Sequence, residues 1–240
     1  MYHKTKGIVL HTIKYSETSV ITKIYTEKLG LVSYMVNGVR TIKSSAKASM
    51  LRPLTLLDME VQHRENKNLQ HIKEFKRSFT YQSIPFDTLK STISLFLLEV
   101  ITKSVHEHDP NEEMFEFIFE ALVNLDEASK INPDFHLIFL IQLSRYLGFG
   151  PHDNYSEKEN IFEMREGIFT SSLVENNTIL NKKDSELLFR LIGANIFGIN
   201  DLGITRKERK LMLKNLLKYY QLHIEGFSLK SPEILEELLD

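Results

Sequence analysis

The chain has 240 residues, no cysteine, and 30 Lys and Arg against 32 Asp and Glu. Without cysteine there is no disulfide, no thiolate zinc site and no cysteine nucleophile, and 42% hydrophobic with 26% charged residues suits a globular protein. The near-neutral total hides a segregation: residues 1–80 hold 14 basic and 6 acidic side chains, and residues 81–204 hold 9 and 20. All seven basic residues of 205–240 fall before 231, where only Glu208 and Glu225 oppose them. A basic first part, an acidic middle and a basic late segment point to two surfaces for a polyanion on an acidic scaffold. The opening MYHKTKGIVLHTIKYSE meets charge too soon for a signal peptide. The apolar runs Ile93–Ile101 and Phe135–Leu143 fall short of a membrane span and contain Glu99, His136 and Gln142. A soluble, cytoplasmic protein is expected, with no membrane partner.

The first 80 residues read as strands. Gly7–Lys14 alternates Ile8, Leu10 and Thr12 against Val9, His11 and Ile13, and Thr18–Thr26 is rich in Thr, Val, Ile and Tyr. After Gly30, Leu31–Asn37 gives a third strand. A polar connection follows, Gly38–Arg52, holding Arg40, Lys43, Lys47 and Arg52 and no acid. Beyond Pro53, Leu54–His63 and Leu69–Thr80 give two more strands around a turn at Arg64–Asn68. Five short strands with one long connection predict a small closed barrel.

From Pro85 the apolar period lengthens to that of a helix. Phe86–Glu107 puts Leu89, Ile93, Phe96, Leu97, Val100 and Ile101 on one face; Asp109-Pro110 ends it, and Asn111 can cap a second helix running to Glu127. Asp134–Leu147 is apolar nearly all round and is expected to be central, stopped by Gly148-Phe149-Gly150-Pro151. Residues 152–180 read as loop and short strands; Lys183–Phe197, Thr205–Glu225 and Glu233–Leu239 read as helices. The expected class is α+β, with a barrel domain at 1–80 and a mostly helical domain at 81–240 that carries an irregular, partly β insertion near 152–180.

The chemistry-bearing clusters are few. Each cation of the Gly38–Arg52 connection can neutralise one phosphate and release a counterion; the plainer reading is a solvated loop. Tyr15, Tyr25, Tyr34, Phe75 and Phe79 sit among the basic residues, and alternation places Tyr25 on the face of Lys23, where it could stack a base, whereas Phe75 and Phe79 suit the core. Arg206-Lys207-Glu208-Arg209-Lys210 opens the late helix, whose spacing lines up Lys207, Lys210, Lys214 and Lys218 while turning Leu211, Met212, Leu216 and Leu217 inward. His106-Glu107-His108-Asp109 lacks metal-ligand spacing, and Glu112, Glu116 and Glu120 form a solvated acidic stripe. Gly193 and Gly198 have phosphate-loop spacing, but Ile199 and Asn200 stand where Lys and Ser or Thr belong. No catalytic arrangement, metal site or cofactor motif emerges. Candidate nucleic-acid contacts are Lys23, Tyr25, Arg40, Lys43, Lys47, Arg52, Arg206, Lys207, Lys210 and Lys214. Two rival readings stay open: an RNA-binding module, and a nuclease using Glu112, Glu116 or Asp109.

In order along the chain, Gly7-Ile8-Val9-Leu10, Tyr15-Ser16-Glu17-Thr18-Ser19, Asn37-Gly38-Val39-Arg40, Leu51-Arg52-Pro53-Leu54-Thr55-Leu56-Leu57, Tyr146-Leu147-Gly148-Phe149-Gly150-Pro151 and Tyr219-Tyr220-Gln221-Leu222-His223 with Lys230-Ser231 resemble segments of the RecO family of bacterial recombination mediators. The resemblance implies an N-terminal OB-fold barrel, a helical C-terminal domain, and binding and annealing of single- and double-stranded DNA without ATP hydrolysis. It also implies partnership with RecR, contact with the acidic tail of single-stranded-DNA-binding protein (SSB), and help in loading RecA. The implied DNA surface is the barrel with its basic loop, so Arg40, Lys43, Lys47 and Arg52 come first. Three departures stand out. His152–Thr170 lacks the four-cysteine zinc module of many relatives, Asn37 replaces a frequent Lys, and Asp134-Phe135-His136-Leu137-Ile138 opens the central helix where many relatives have arginines.

Overall fold

The computed structural model describes residues 1–39, 45–64, 66–106, 110–171, 177–198 and 202–238. The chain forms two compact units, Met1–Glu127 and Ala128–Asp240. Unit one opens with five strands: β1 (Tyr2–Lys14), β2 (Val20–Thr26), β3 (Gly30–Val36), β4 (Leu56–Gln62) and β5 (Leu69–Arg77). They close into a barrel in the order β1-β2-β3-β5-β4, with β4 returning to β1 and with β3 and β5 parallel. This is the expected five-stranded OB-type barrel, followed by helices in an α+β chain.

Strand β1 makes closure possible. Its first half pairs with β4 from Tyr2↔Gln62 to Ile8↔Leu56, and its second half pairs with β2 from Gly7↔Thr26 to Lys14↔Val20. Gly7 sits where both ladders meet, and a Cβ there would lie 2.7 Å from Ile24 Cγ2 and 2.6 Å from Met59 Cε; only glycine allows that approach. The segment Tyr2–Lys6, which shows no strand alternation of its own, extends because β4 supplies its hydrogen bonds, although its side chains are largely polar. Val9, Ile24, Val32, Tyr34, Val36, Leu57, Met59 and Val61 fill the interior.

The connection between β3 and β4 holds one short helix, α1 (Ser45–Ser49), in a stretch whose composition reads as loop. Val39 and Leu51 anchor it in the barrel core. Two helices complete unit one: α2 (Thr88–Ser104) and α3 (Glu112–Glu127). Asp87 caps α2 by accepting from the Lys90 N–H (3.0 Å), and Asn111 Oδ1 accepts from the Met114 N–H (2.9 Å) at the start of α3.

A buried polar hub ties the barrel exit to these helices. The Asp126 carboxylate accepts from the backbone N–H groups of Gln82 (2.8 Å), Ser83 (2.9 Å) and Ile84 (2.8 Å). Lys90 Nζ, on a residue only 5% exposed, donates to Ser83 Oγ and Asp126 O, both at 2.7 Å. Burial pushes the Asp126 carboxyl up, but the three backbone N–H donors outweigh it and hold the group below the usual carboxylate range.

Unit two is built on α4 (Phe135–Tyr146), whose residues Phe135–Ile141, Leu143 and Ser144 are all buried, in keeping with its all-round apolarity. Around it lie α5 (Lys182–Ile192) and α6 (Arg206–His223): Arg145 Nη2 donates to Ile192 O (3.0 Å), and the Tyr220 hydroxyl donates to Leu140 O (2.7 Å). A hairpin of β6 (Ile161–Glu163) and β7 (Ile168–Thr170) occupies the stretch without cysteines, and α7 (Pro232–Leu238) ends the described chain. Asn154 and an aromatic cluster hold the hairpin. The Asn154 side chain both donates to Phe169 O (2.8 Å) and accepts from its N–H (2.9 Å), while Phe162, Phe169, Tyr155, Phe189 and Tyr219 stack edge and face around it. Among the described residues no group of three or more His, Asp or Glu could hold a metal ion, and no helix is long and apolar enough to cross a membrane.

Candidate nucleic-acid interface

The β1–β2 hairpin presents its outer face through the pairs His11↔Lys23 and Ile13↔Ile21. Lys23 is exposed, and alternation carries the same face on to Tyr15, which is 61% exposed. The hairpin is tied to the basic connection: the Thr12 hydroxyl donates to Leu51 O (2.7 Å), and the Val39 N–H donates to Thr18 O (3.0 Å). Asn37 has an internal task, accepting from the Ser19 hydroxyl at 2.9 Å.

Of the connection's cations, Arg40 and Lys43 lie outside the described residues. Lys47, on α1, and Arg52 are exposed, and among the described residues neither they nor Lys23 form an ion pair. Three other barrel cations are occupied. Lys73 Nζ lies 2.8 Å from Glu60 Oε1, Lys76 Nζ lies 3.7 Å from Asp58 Oδ2, and Lys6 Nζ lies 3.9 Å from Glu116 Oε2 and 4.8 Å from the centre of the Phe119 ring. The hydrogen bond from Lys73 holds Glu60 below the usual carboxylate range. A phosphate meets the unpaired cations without first displacing a carboxylate.

Tyr25 requires a correction. Alternation places it on the outer face with Lys23, but α3 covers that position. Tyr25 is 1% exposed, its ring lies 5.8 Å from that of Phe115, and its hydroxyl donates to Asn111 O at 3.3 Å. No base can reach it. Tyr34 is likewise interior, at 0% exposure. The aromatic the hairpin does offer is Tyr15, whose position at the strand end, next to the polar turn Ser16–Ser19, is the available signal.

On α6 the exposed basic residues are Arg206, Lys207, Lys210 and Lys214; among the described residues Lys207 and Lys214 form no ion pair. Lys218 is partly covered and donates to Asn177 O. Arg209 turns the other way: its side chain is 12% exposed, Nε lies 2.7 Å from Asp134 Oδ1, and Nη2 donates to Ile204 O at 3.0 Å. The inward face also differs from the expected one. Leu211 is 41% exposed while Leu213 is 1% exposed beside Met212 and Leu216, because α6 turns Tyr219 and Tyr220 into the core and so fixes its rotation about one residue further on. The cationic opening of the helix is offset by a capping box. Thr205 accepts from the Glu208 N–H, and Glu208, bonded first by Lys183 Nζ (2.8 Å) and then by Thr205, is held down to about 2. Glu112, Glu113, Glu116 and Glu120 are exposed along α3; His106 is exposed, and residues 107–109 lie outside the described residues.

Comparison with known proteins fits this arrangement. The family model "Recombination protein O N terminal" matches residues 1–80, and "Recombination protein O C terminal" matches residues 85–233. The chain is 39% identical to the DNA repair protein RecO of Flavobacterium psychrophilum over 99% of both chains. It is 35% identical to that of Bacteroides fragilis over 100% of both, and 26% identical to that of Porphyromonas gingivalis over 98% of both.

Proposed function

Because the chain belongs to the recombination protein O family along nearly its whole length, we propose that it is a non-enzymatic, DNA-binding mediator of recombinational repair. In this reading it anneals complementary single strands in the cytoplasm, at the nucleoid during repair. With RecR it helps load RecA onto single strands coated by SSB, whose acidic tail it contacts. The module that holds the strand is the barrel of residues 1–80.

The observation that carries this reading is the set Lys23, Lys47 and Arg52, exposed on one small barrel and left without carboxylate partners among the described residues. Annealing is opposed chiefly by repulsion between two phosphate backbones. Cations that neutralise phosphates lower that repulsion and release counterions, while leaving base edges free to pair. Nothing in this step needs a nucleotide cofactor or a bond to break. Lys207 and Lys214 on α6 offer a second set of exposed cations to a strand. Charge does not separate DNA from RNA, which only contacts to the 2′-hydroxyl can do.

The test is strand annealing with two complementary labelled oligonucleotides, each precoated with the cognate SSB, without ATP or metal, across a salt series. The reading predicts acceleration that fades as salt rises. Tight single-strand binding without acceleration, or preferential competition by a matched RNA, would replace it with a plain nucleic-acid module.

A further inference from the structure

We propose that the groove between the start of β4, the end of β5 and α2 receives one unstacked nucleotide of the bound strand, its phosphate held by Arg52 and Arg77 and its base laid against Phe79 and Leu95. This rests on the DNA-binding reading and names a subsite of that surface. The groove has a volume of about 420 Å³, within the range of small-ligand pockets. Two guanidinium groups and no acidic side chain line it. Arg77 spends one N–H donor on Ser49 Oγ (3.2 Å), the residue that closes α1, and among the described residues forms no ion pair. That bond aims the guanidinium while leaving its remaining donors open for a bidentate phosphate contact.

The floor suits a flat apolar group. Leu54 and Ile84 are buried; Phe79 is half-buried, and its ring is propped edge-on by Tyr81 at 5.6 Å. Leu95, on α2, is 57% exposed, an apolar side chain left in solvent at the groove's rim. The hydroxyls of Thr55 and Thr80 line the same groove and make no hydrogen bond among the described residues, so they can meet base edges. The floor is also rigid: Leu54 holds a φ of +67°, unusual for a residue with a side chain, fixed by its N–H to Val9 O (2.7 Å) and by the Tyr81 hydroxyl on its carbonyl (2.9 Å).

The occupant follows from continuity and charge. Ser49 and Arg52 bound both the groove and the basic connection that carries Lys47, so a strand held by Lys47 and Arg52 runs directly to the groove's mouth. An anion with an apolar, planar body is what such a mouth and floor recognise together.

The chain has no tryptophan, so Leu95→Trp creates a single fluorescent reporter at an exposed position, and Tyr2→Trp, at the opposite end of β4, serves as control. Both full-length variants are titrated with a short oligo-thymidylate and with an abasic chain of equal length, binding being followed independently by anisotropy of the labelled oligonucleotide. The proposal predicts quenching of the Leu95→Trp emission by the thymidylate, weak quenching by the abasic chain, and none for Tyr2→Trp. It also predicts that Arg77→Gln weakens thymidylate binding several-fold with an unchanged thermal midpoint. If the thymidylate binds by anisotropy yet leaves Leu95→Trp unquenched, the groove is not the subsite while the DNA-binding reading stands. If no binding is seen by anisotropy, both fall. Quenching by an acidic, aromatic-containing peptide but not by thymidylate would reassign the groove to a protein partner.

Discussion

The barrel rim and α6 are both rich in lysine and arginine, yet α6, which also keeps Lys207 and Lys214 exposed, spends part of its charge inside the fold. At the rim, Lys23, Lys47 and Arg52 face solvent with no carboxylate partner among the described residues. At α6, Arg209 is drawn inward to Asp134, Lys218 donates to a backbone carbonyl, and Lys183 and Glu208 close a pair beneath the first turn. The lesson is that charge available to a ligand is charge left over after folding. A basic residue with an internal acid or carbonyl partner holds the protein together; one without is free to hold something else.

Structural and available charge should differ most in what they contribute to stability. Arg209→Met removes one member of a pair whose side chains are 12% and 2% exposed and leaves Asp134 charged and buried. The expected cost is roughly 3–5 kcal/mol in urea unfolding, whereas Arg52→Met should change stability by less than about 0.5 kcal/mol. Equal effects would erase the distinction between structural and available charge.

The charge of Arg209 is also felt by the interior. Burial first, and that guanidinium second, push the fully buried His136 down to about 3. An unfolded histidine titrates near 6.5, roughly. Above that pH neither state carries the proton. Below it the unfolded chain takes one up and the folded chain does not, so stability declines by about 1.4 kcal/mol per pH unit until pH falls through the folded value. Urea midpoints for the wild type and His136→Leu measured between neutral and mildly acid pH should diverge in slope; parallel curves would mean that His136 does not titrate this way.

How much is legible in the sequence follows the same division. The strands show in their alternation and α4 in its all-round apolarity, because both are local consequences of period and burial. The face of Tyr25 is also legible, but not its cover: α3 begins 87 residues further on, at Glu112, and nothing in the strand itself announces that Phe115 will lie on it. The hub of Lys90 and Asp126 is invisible for a related reason. A lysine amid a helix reads as solvated until a carbonyl and a hydroxyl from elsewhere in the chain replace its water. The exchange of Leu211 for Leu213 comes from a broad apolar stripe, where the sequence admits two helix rotations and the two tyrosines at 219 and 220 decide between them. For the candidate site, the cationic character of the connection is readable, but which cations remain unpaired is not, since pairing is a tertiary property.

The proposed function has unpaired cations, rather than cations as such, carry the strand. It is tested most directly by the salt dependence of single-strand affinity for two sets of variants. Lys23→Gln, Lys47→Gln and Arg52→Gln combined should lower the slope of log K against log salt by about 2, at roughly 0.7 for each phosphate no longer neutralised. Lys73→Gln and Lys76→Gln combined, removing cations already paired with Glu60 and Asp58 on the same barrel, should leave the slope nearly unchanged. An equal fall in both sets, or no fall in the first, would contradict the account.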